Sequence, residues 1–224
     1  MDSGQTQAVR MQSLPSNYQY KPILDEVTVD TPDSLPNDHL GFRLLQIEPG
    51  EGIIPLNVSL VHSTFGKSNR KYDAISYVWG DPTDTTTIEV DGVPIQVTKS
   101  LASALRRVRR RHEVRTVWAD AICINQQDII ERATQVQRMG LIYCRAKQVL
   151  ACLDGEGDDG KLVGNLLGVL VMMGGSTPEE VVQAFEELLA NEKYKSAWLA
   201  LREFSRHPWH TRAWVGGAIR GVFI

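Results

Sequence analysis

"VWADAICINQQDIIERATQVQRMGLIYCRA", residues 117–146, opens as an apolar run and closes with helical spacing. The run "TVWADAICI" has the unbroken apolar character of a strand covered on both faces. In the second part, Asp128 followed three residues later by Glu131 has the form of a capping box. Ile130, Ala133, Val136, Gly140, Tyr143 and Ala146 then recur at helical intervals. Between strand and helix stand Asp120, Cys123, Asn125, Gln126, Gln127 and Asp128, nearly side by side. In open α/β sheets ligands bind at such strand-to-helix corners, so this one is either a site or a well-capped turn.

Working outward, "FRLLQI" (42–47) and "LNVSLVHS" (56–63) are β-rich runs joined by the turn-rich "EPGEGIIP". "YDAISYVWGD" (72–81) supplies a core strand through Val78, stopped by Gly80, Asp81 and Pro82. "TIEVDGVPIQV" (87–97) predicts a hairpin, because Asp91-Gly92 tolerates the positive φ of a type I′ turn, and Pro94 places it at a sheet edge. Ser100 is expected to cap a helix whose Leu101, Ala104, Leu105 and Val108 form one apolar stripe. "KQVLACLD" returns as a strand. Strands and helices alternating in this way predict an α/β fold with a mostly parallel sheet flanked by helices. Helices are expected in "KLVGNLLGVLVMM", after Pro178 with Ser176 or Thr177 as cap, and in "YKSAWLALREFSR". Residues 1–40, rich in Ser, Gln, Asn, Asp and Pro, are expected to be a disordered or loosely attached lead-in to a single domain over 41–224.

The 42% hydrophobic and 23% charged residues are ordinary for a globular chain of 224 residues. A net charge of -3 and a pI near 6.0 give no general attraction to nucleic acid or membrane, and neither is expected as a partner. Cys123, Cys144 and Cys152 are odd in number and lack CxxC spacing, which predicts reduced thiols in the cytoplasm. The longest apolar run, "LVGNLLGVLVMMGG", is too short to span a bilayer.

Taken in order, "YDAISYVWGD", the Ile88, Val90 and Gly92 of the hairpin, "SLASALRRVR", the 117–146 stretch and "VLACLD" resemble the heterokaryon incompatibility (HET) domain of filamentous fungi. The resemblance is close over residues 42–154 and touches the tail again at Trp209 to Trp214. It implies a cell-death effector set off when genetically different hyphae fuse, acting through protein partners or self-assembly. The domain has been likened to the flavodoxin-like TIR fold, some members of which cleave NAD. The resemblance thus implies NAD as a substrate in the enzymatic alternative, and no required cofactor or metal in the other. In the family an aromatic-Arg-Trp tail leads into Gln-Glu. Here Arg212 and Trp214 match, but Gly216, Gly217 and Ala218 follow, so the chain is expected to be truncated or atypical after residue 215.

Cleaving a nicotinamide–ribose bond builds positive charge on the sugar and calls for a carboxylate, a stacking aromatic and backbone amides for phosphates. Asp73, Ser76, Tyr77, Trp79, Gly80 and Asp81 are expected at one strand end, with Asp120, Asn125 and Gln126 at another. Trp79 and Trp118 are either a stacking platform or core filling. A carboxylate inside an apolar strand is costly unless paired, so Asp120 is either ion-paired, with an Arg as the expected partner, or ligand-facing. Glu131 is either a capping residue or a second catalytic acid, and Asn125 and Gln126 either shape the turn or meet a ligand. Cys123 is expected to be a buried structural thiol. The basic run "RRVRRRHEVR" (106–115) is a solvated face or an anion-binding patch, and "DGEGDDG" fails as an EF-hand loop.

Overall fold

The computed structural model describes residues 18–26, 35, 37–52, 54–69, 71–152, 159–172, 177–206 and 221–223. Eight strands form one sheet: β1 (Gly41–Ile47), β2 (Asn57–Thr64), β3 (Asp73–Tyr77), β4 (Thr85–Val90), β5 (Val93–Thr98), β6 (Arg115–Trp118), β7 (Gln148–Cys152) and β8 (Gly221–Phe223), in the order β5-β4-β2-β1-β6-β3-β7-β8. The helices are α1 (Phe65–Ser68), α2 (Lys99–Val108), α3 (Asp120–Cys123), α4 (Ile129–Arg145), α5 (Asp159–Met172), α6 (Pro178–Ala190) and α7 (Lys195–Arg206). This is an α/β fold, as expected. The sheet, however, is mixed rather than mostly parallel. β6, β3, β7 and β8 run parallel, whereas β1 pairs antiparallel with both β2 and β6, and β4 with β5. The antiparallel half follows from the short connections after β1 and β4, which are too short for a crossover.

β5 is the sheet edge, and its turn with β4 has Asp91 at φ 52° and Gly92 at φ 77°, both in the left-handed region that a type I′ turn requires. The β6–α4–β7 crossover steps over β3 in the sheet order. The core is built from strand residues such as Phe42, Leu45, Ile75, Val117 and Leu150, sealed by Leu101 and Leu105 of α2 and by Ile142 of α4. Phe42 stacks on Phe65 with ring centroids 4.6 Å apart.

Three local expectations give way. The cap of α2 is Thr98, whose side chain accepts from the Leu101 amide, while the Ser100 hydroxyl donates to the carbonyl of Val78. β6 stops at Trp118, and Asp120 belongs to the helical turn α3 rather than to the strand. The third concerns α4, which buries Gln135, Met139, Ile142 and Tyr143 and leaves Ile129, Ile130 and Val136 exposed. Tyr143 and Ala146 of the expected apolar stripe face in, but Ile130, Ala133, Val136 and Gly140 face out.

Within the lead-in, residues 18–26 lie against the sheet. Tyr20 donates to the Ile122 carbonyl at 2.9 Å and its ring faces the Arg43 guanidinium at 4.7 Å, while Asp25 accepts from the Gly41 amide and both terminal nitrogens of Arg138. Among the described residues no helix is long and apolar enough to cross a membrane.

Candidate functional site

β3 and β6 are parallel neighbours, with Ala74 opposite Trp118. Their carboxyl ends therefore release two polar loops side by side, residues 78–84 and 119–128. The contact between them is Trp79 on Asp120: the indole N–H sits 3.2 and 3.1 Å from the two carboxylate oxygens. Asp120 is 3% exposed, and its Oδ1 also accepts from the Ala121 amide at 2.9 Å. Trp79 is only partly buried, so its ring is the part of this pair that a ligand can reach. Gly80, at φ 73°, turns the chain away behind it, where an added Cβ would come within 3.1 Å of the Ser100 Cβ.

Asp81 is exposed and folds its carboxylate onto the amide and hydroxyl of Thr83 at 2.8 and 2.7 Å, bonds that hold its carboxyl below the usual range. Asn125 makes the same kind of local turn, accepting from the Gln127 amide. Gln126 is buried and donates to the Asp120 carbonyl at 2.8 Å, while its own carbonyl accepts from Arg132. Asp128 caps α4, receiving the amides of Ile130 and Glu131.

Glu131 does not close a capping box. Its carboxylate takes both terminal nitrogens of Arg43, at 2.6 and 2.8 Å, and the Asn125 amide at 2.7 Å. Arg43 is 1% exposed and also donates to the carbonyls of Cys123 and Lys21. A carboxylate holding three donors and a full counter-charge is a structural anion, poorly suited to moving a proton. Two arginines are each held by an acid within the fold. Arg43 serves Glu131, and Arg115 serves Asp73 at 2.6 Å.

Asp73 is displaced from the expected cluster altogether. It begins β3, about 13 Å of strand from the end that carries Trp79, and it anchors Arg115 inside the fold. Ser76 and Tyr77 are buried within β3 at 2% and 1% exposure, away from any open surface. Trp118 is fully buried and packs edge-on against Tyr143, which places it in the core and leaves Trp79 as the accessible aromatic. Arg212 and Trp214 lie outside the described residues, as do most of "DGEGDDG" and residues 215–220, while residues 221–223 form β8. The basic run is largely engaged within the fold: Arg109 donates to the carbonyls of Ile54 and Pro55, Arg110 pairs with Glu113, and Arg111 with Glu51.

Cys123 is buried, and burial pushes its thiol up to about 12. Cys152 is also buried, whereas Cys144 is exposed. One thiol per native chain should therefore react rapidly with a chromogenic disulfide reagent at pH 8, and three after denaturation. Rapid release of a second equivalent from native protein would contradict the inert role of Cys123.

Arg43 is the residue that the expected site omitted. The signal was present: a charge at an inward position of the apolar run "FRLLQI" carries the same cost that drew attention to Asp120. Its partner is 88 positions away, so no local pattern could name it.

Fold and site together define an α/β domain whose polar strand-end loops meet at a carboxylate–indole pair beside a buried Arg–Glu pair. A sequence profile of the heterokaryon incompatibility protein (HET) family matches residues 72–216, and the chain belongs to that family. Heterokaryon incompatibility protein 6, OR allele, of Neurospora crassa is 32% identical over 209 residues, which cover 80% of this chain and 30% of that protein. The chain therefore spans less than a third of that relative's length. No solved structure matches the chain significantly.

Proposed function

We propose that this chain is an incompatibility-type effector domain of a filamentous fungus, acting in the cytoplasm to bring about cell death after non-self contact. The observation that carries the proposal is membership of the HET family over the stretch that contains the strand-end loops. The relative named for heterokaryon incompatibility supports it. The first version of this reading is non-enzymatic, with the domain working through protein partners or through its own assembly. Its support is the way Glu131, Asp73 and Cys123 are used: two acids are spent on buried arginines and the thiol is shielded.

One observation favours a second version, in which the domain cleaves NAD. Asp120 and Trp79 meet at the carboxyl end of adjacent parallel strands, where an aromatic face and a carboxylate could receive a nicotinamide and the positive charge developing on its ribose. In that version Asp120 is the acid and Glu131 only positions the loop through Arg43 and Asn125.

Induced expression in a yeast host, with growth and intracellular NAD followed together, separates the versions. Death preceded by NAD collapse supports the enzyme, and death at constant NAD supports assembly. Survival with the folded chain present at high level overturns the effector proposal and leaves an inactive remnant. Asp120→Asn refines the test, because the amide oxygen still accepts from Trp79, and loss of soluble protein would assign Asp120 to structural pairing. Catalysis predicts that this variant is soluble and harmless; the assembly version predicts that it still kills.

A further inference from the structure

α4 carries apolar side chains on both faces: Met139, Ile142 and Tyr143 are buried, and a second set faces solvent. Each of its four charged side chains is engaged by the rest of the fold: Glu131 holds Arg43, Arg132 donates to the Gln126 carbonyl, Arg138 forks onto Asp25, and Arg145 pairs with Asp38. The face toward solvent carries Ile129 at 70% exposure, Ile130 at 81% and Val136 at 43%, with Ala133, Gly140 and Cys144 along the same side and Gln137 as its polar member. A Cβ built on Gly140 meets nothing within 4 Å. Surface helices normally turn charged and polar residues to solvent, and an exposed apolar stripe on a helix of this length marks a contact surface.

From this face we infer that the domain self-associates, α4 packing antiparallel against α4 of a second copy about a two-fold axis. The inference rests on the assembly version of the proposed function and names its surface. The stripe is complementary to itself. Val136 and the bare Gly140 stand four positions apart on it, so reversing a second copy about their midpoint sets large against small. Charge agrees with the same orientation. Exposed Asp128 flanks the amino end and exposed Lys147 the carboxyl end, and an antiparallel pair brings each beside the other. An axis midway between Val136 and Gly140 accomplishes this, with Gly140 admitting the opposing Val136.

A helix of 17 residues is about 25 Å long, and one such contact buries less than the roughly 800 Å² per partner of a standard interface. The association should accordingly be weak, with a dissociation constant on the order of 10–100 µM, and sensitive to local concentration.

Analytical ultracentrifugation of the 224-residue chain over a wide concentration range tests this. The expected result is a monomer–dimer equilibrium that Val136→Lys or Ile130→Lys weakens at least tenfold without lowering the melting temperature. Leu199→Lys, on the exposed side of α7, should leave it unchanged. Two variants of α4 are used because either alone could disturb the fold. Orientation is read by oxidation. With Ala133→Cys, the introduced thiol should bridge to Cys144 of the second copy, whereas the two native Cys144 residues, twelve helical positions apart across the axis, lie about 18 Å from one another, too far to bridge. A chain that stays monomeric, a dimer indifferent to both α4 substitutions, a dimer lost with Leu199→Lys, or a Cys144–Cys144 bridge in the unmodified chain would each overturn the inference. Toxicity in yeast is scored separately. A harmless chain that dimerises through α4 removes the effector proposal and keeps the interface, and a toxic chain that never dimerises does the reverse.

Discussion

Replacing Arg43 with methionine should cost the fold about 3–5 kcal/mol, the usual penalty for leaving one member of a buried ion pair without its partner. Glu131, at 13% side-chain exposure, would keep only the Asn125 amide, and the Cys123 and Lys21 carbonyls would lose their donor. At about 2–4 °C per kcal/mol for a domain of this size, the midpoint should fall by about 6–20 °C. The informative comparison is the double variant Arg43→Met with Glu131→Leu. If the loss comes from an uncompensated carboxylate, the second substitution should restore much of it. If the two losses simply add, Arg43 matters for packing against Tyr20 and the carbonyls, and the ion pair has been over-weighted. Thermal melts of the three proteins at pH 7 decide this.

The same pair shows where local sequence stopped being informative. The strand-to-helix corner at 117–146, the hairpin at Asp91-Gly92 and the capped helix after Thr177 were legible because each depends on residues a few positions apart. That Trp79, Gly80 and Asp81 would follow one strand and Asn125 and Gln126 another was also legible, but their meeting depended on β3 and β6 being neighbours, which no local pattern states. Which side chain would answer which was no more legible. Asp120 received the indole N–H of Trp79, while Arg43 went to Glu131 and Arg115 to Asp73. Such choices are fixed by tertiary register, which puts Arg43 under the 119–128 loop and Arg115 beside the first residue of β3. The exposed apolar face of α4 was obscured for a related reason. Period alone identifies a stripe, but four charged side chains each held by a partner in the rest of the fold can orient a helix so that part of its hydrophobic pattern faces solvent.

Trp118→Ala should be about as damaging as loss of Arg43, at about 3–5 kcal/mol, but by a different mechanism. Trp118 is the largest of the fully buried side chains among the described residues, at the end of β6 with Tyr143 edge-on at 5.5 Å, and truncation removes both its apolar transfer energy and the support for that contact. Phenylalanine at this position tests what the indole contributes beyond bulk. The Trp118 N–H is buried and makes no hydrogen bond among the described residues. Removing it therefore relieves an unsatisfied donor while leaving a smaller void than alanine does. Trp118→Phe should accordingly cost about 1–2 kcal/mol at most, well under half of the alanine penalty. Equal losses for the two variants, measured by urea unfolding with unchanged slope, would mean that the indole N–H has a partner in solution, such as an ordered water. Trp118 would then belong to the polar corner that Trp79 and Asp120 form, rather than to the core behind it.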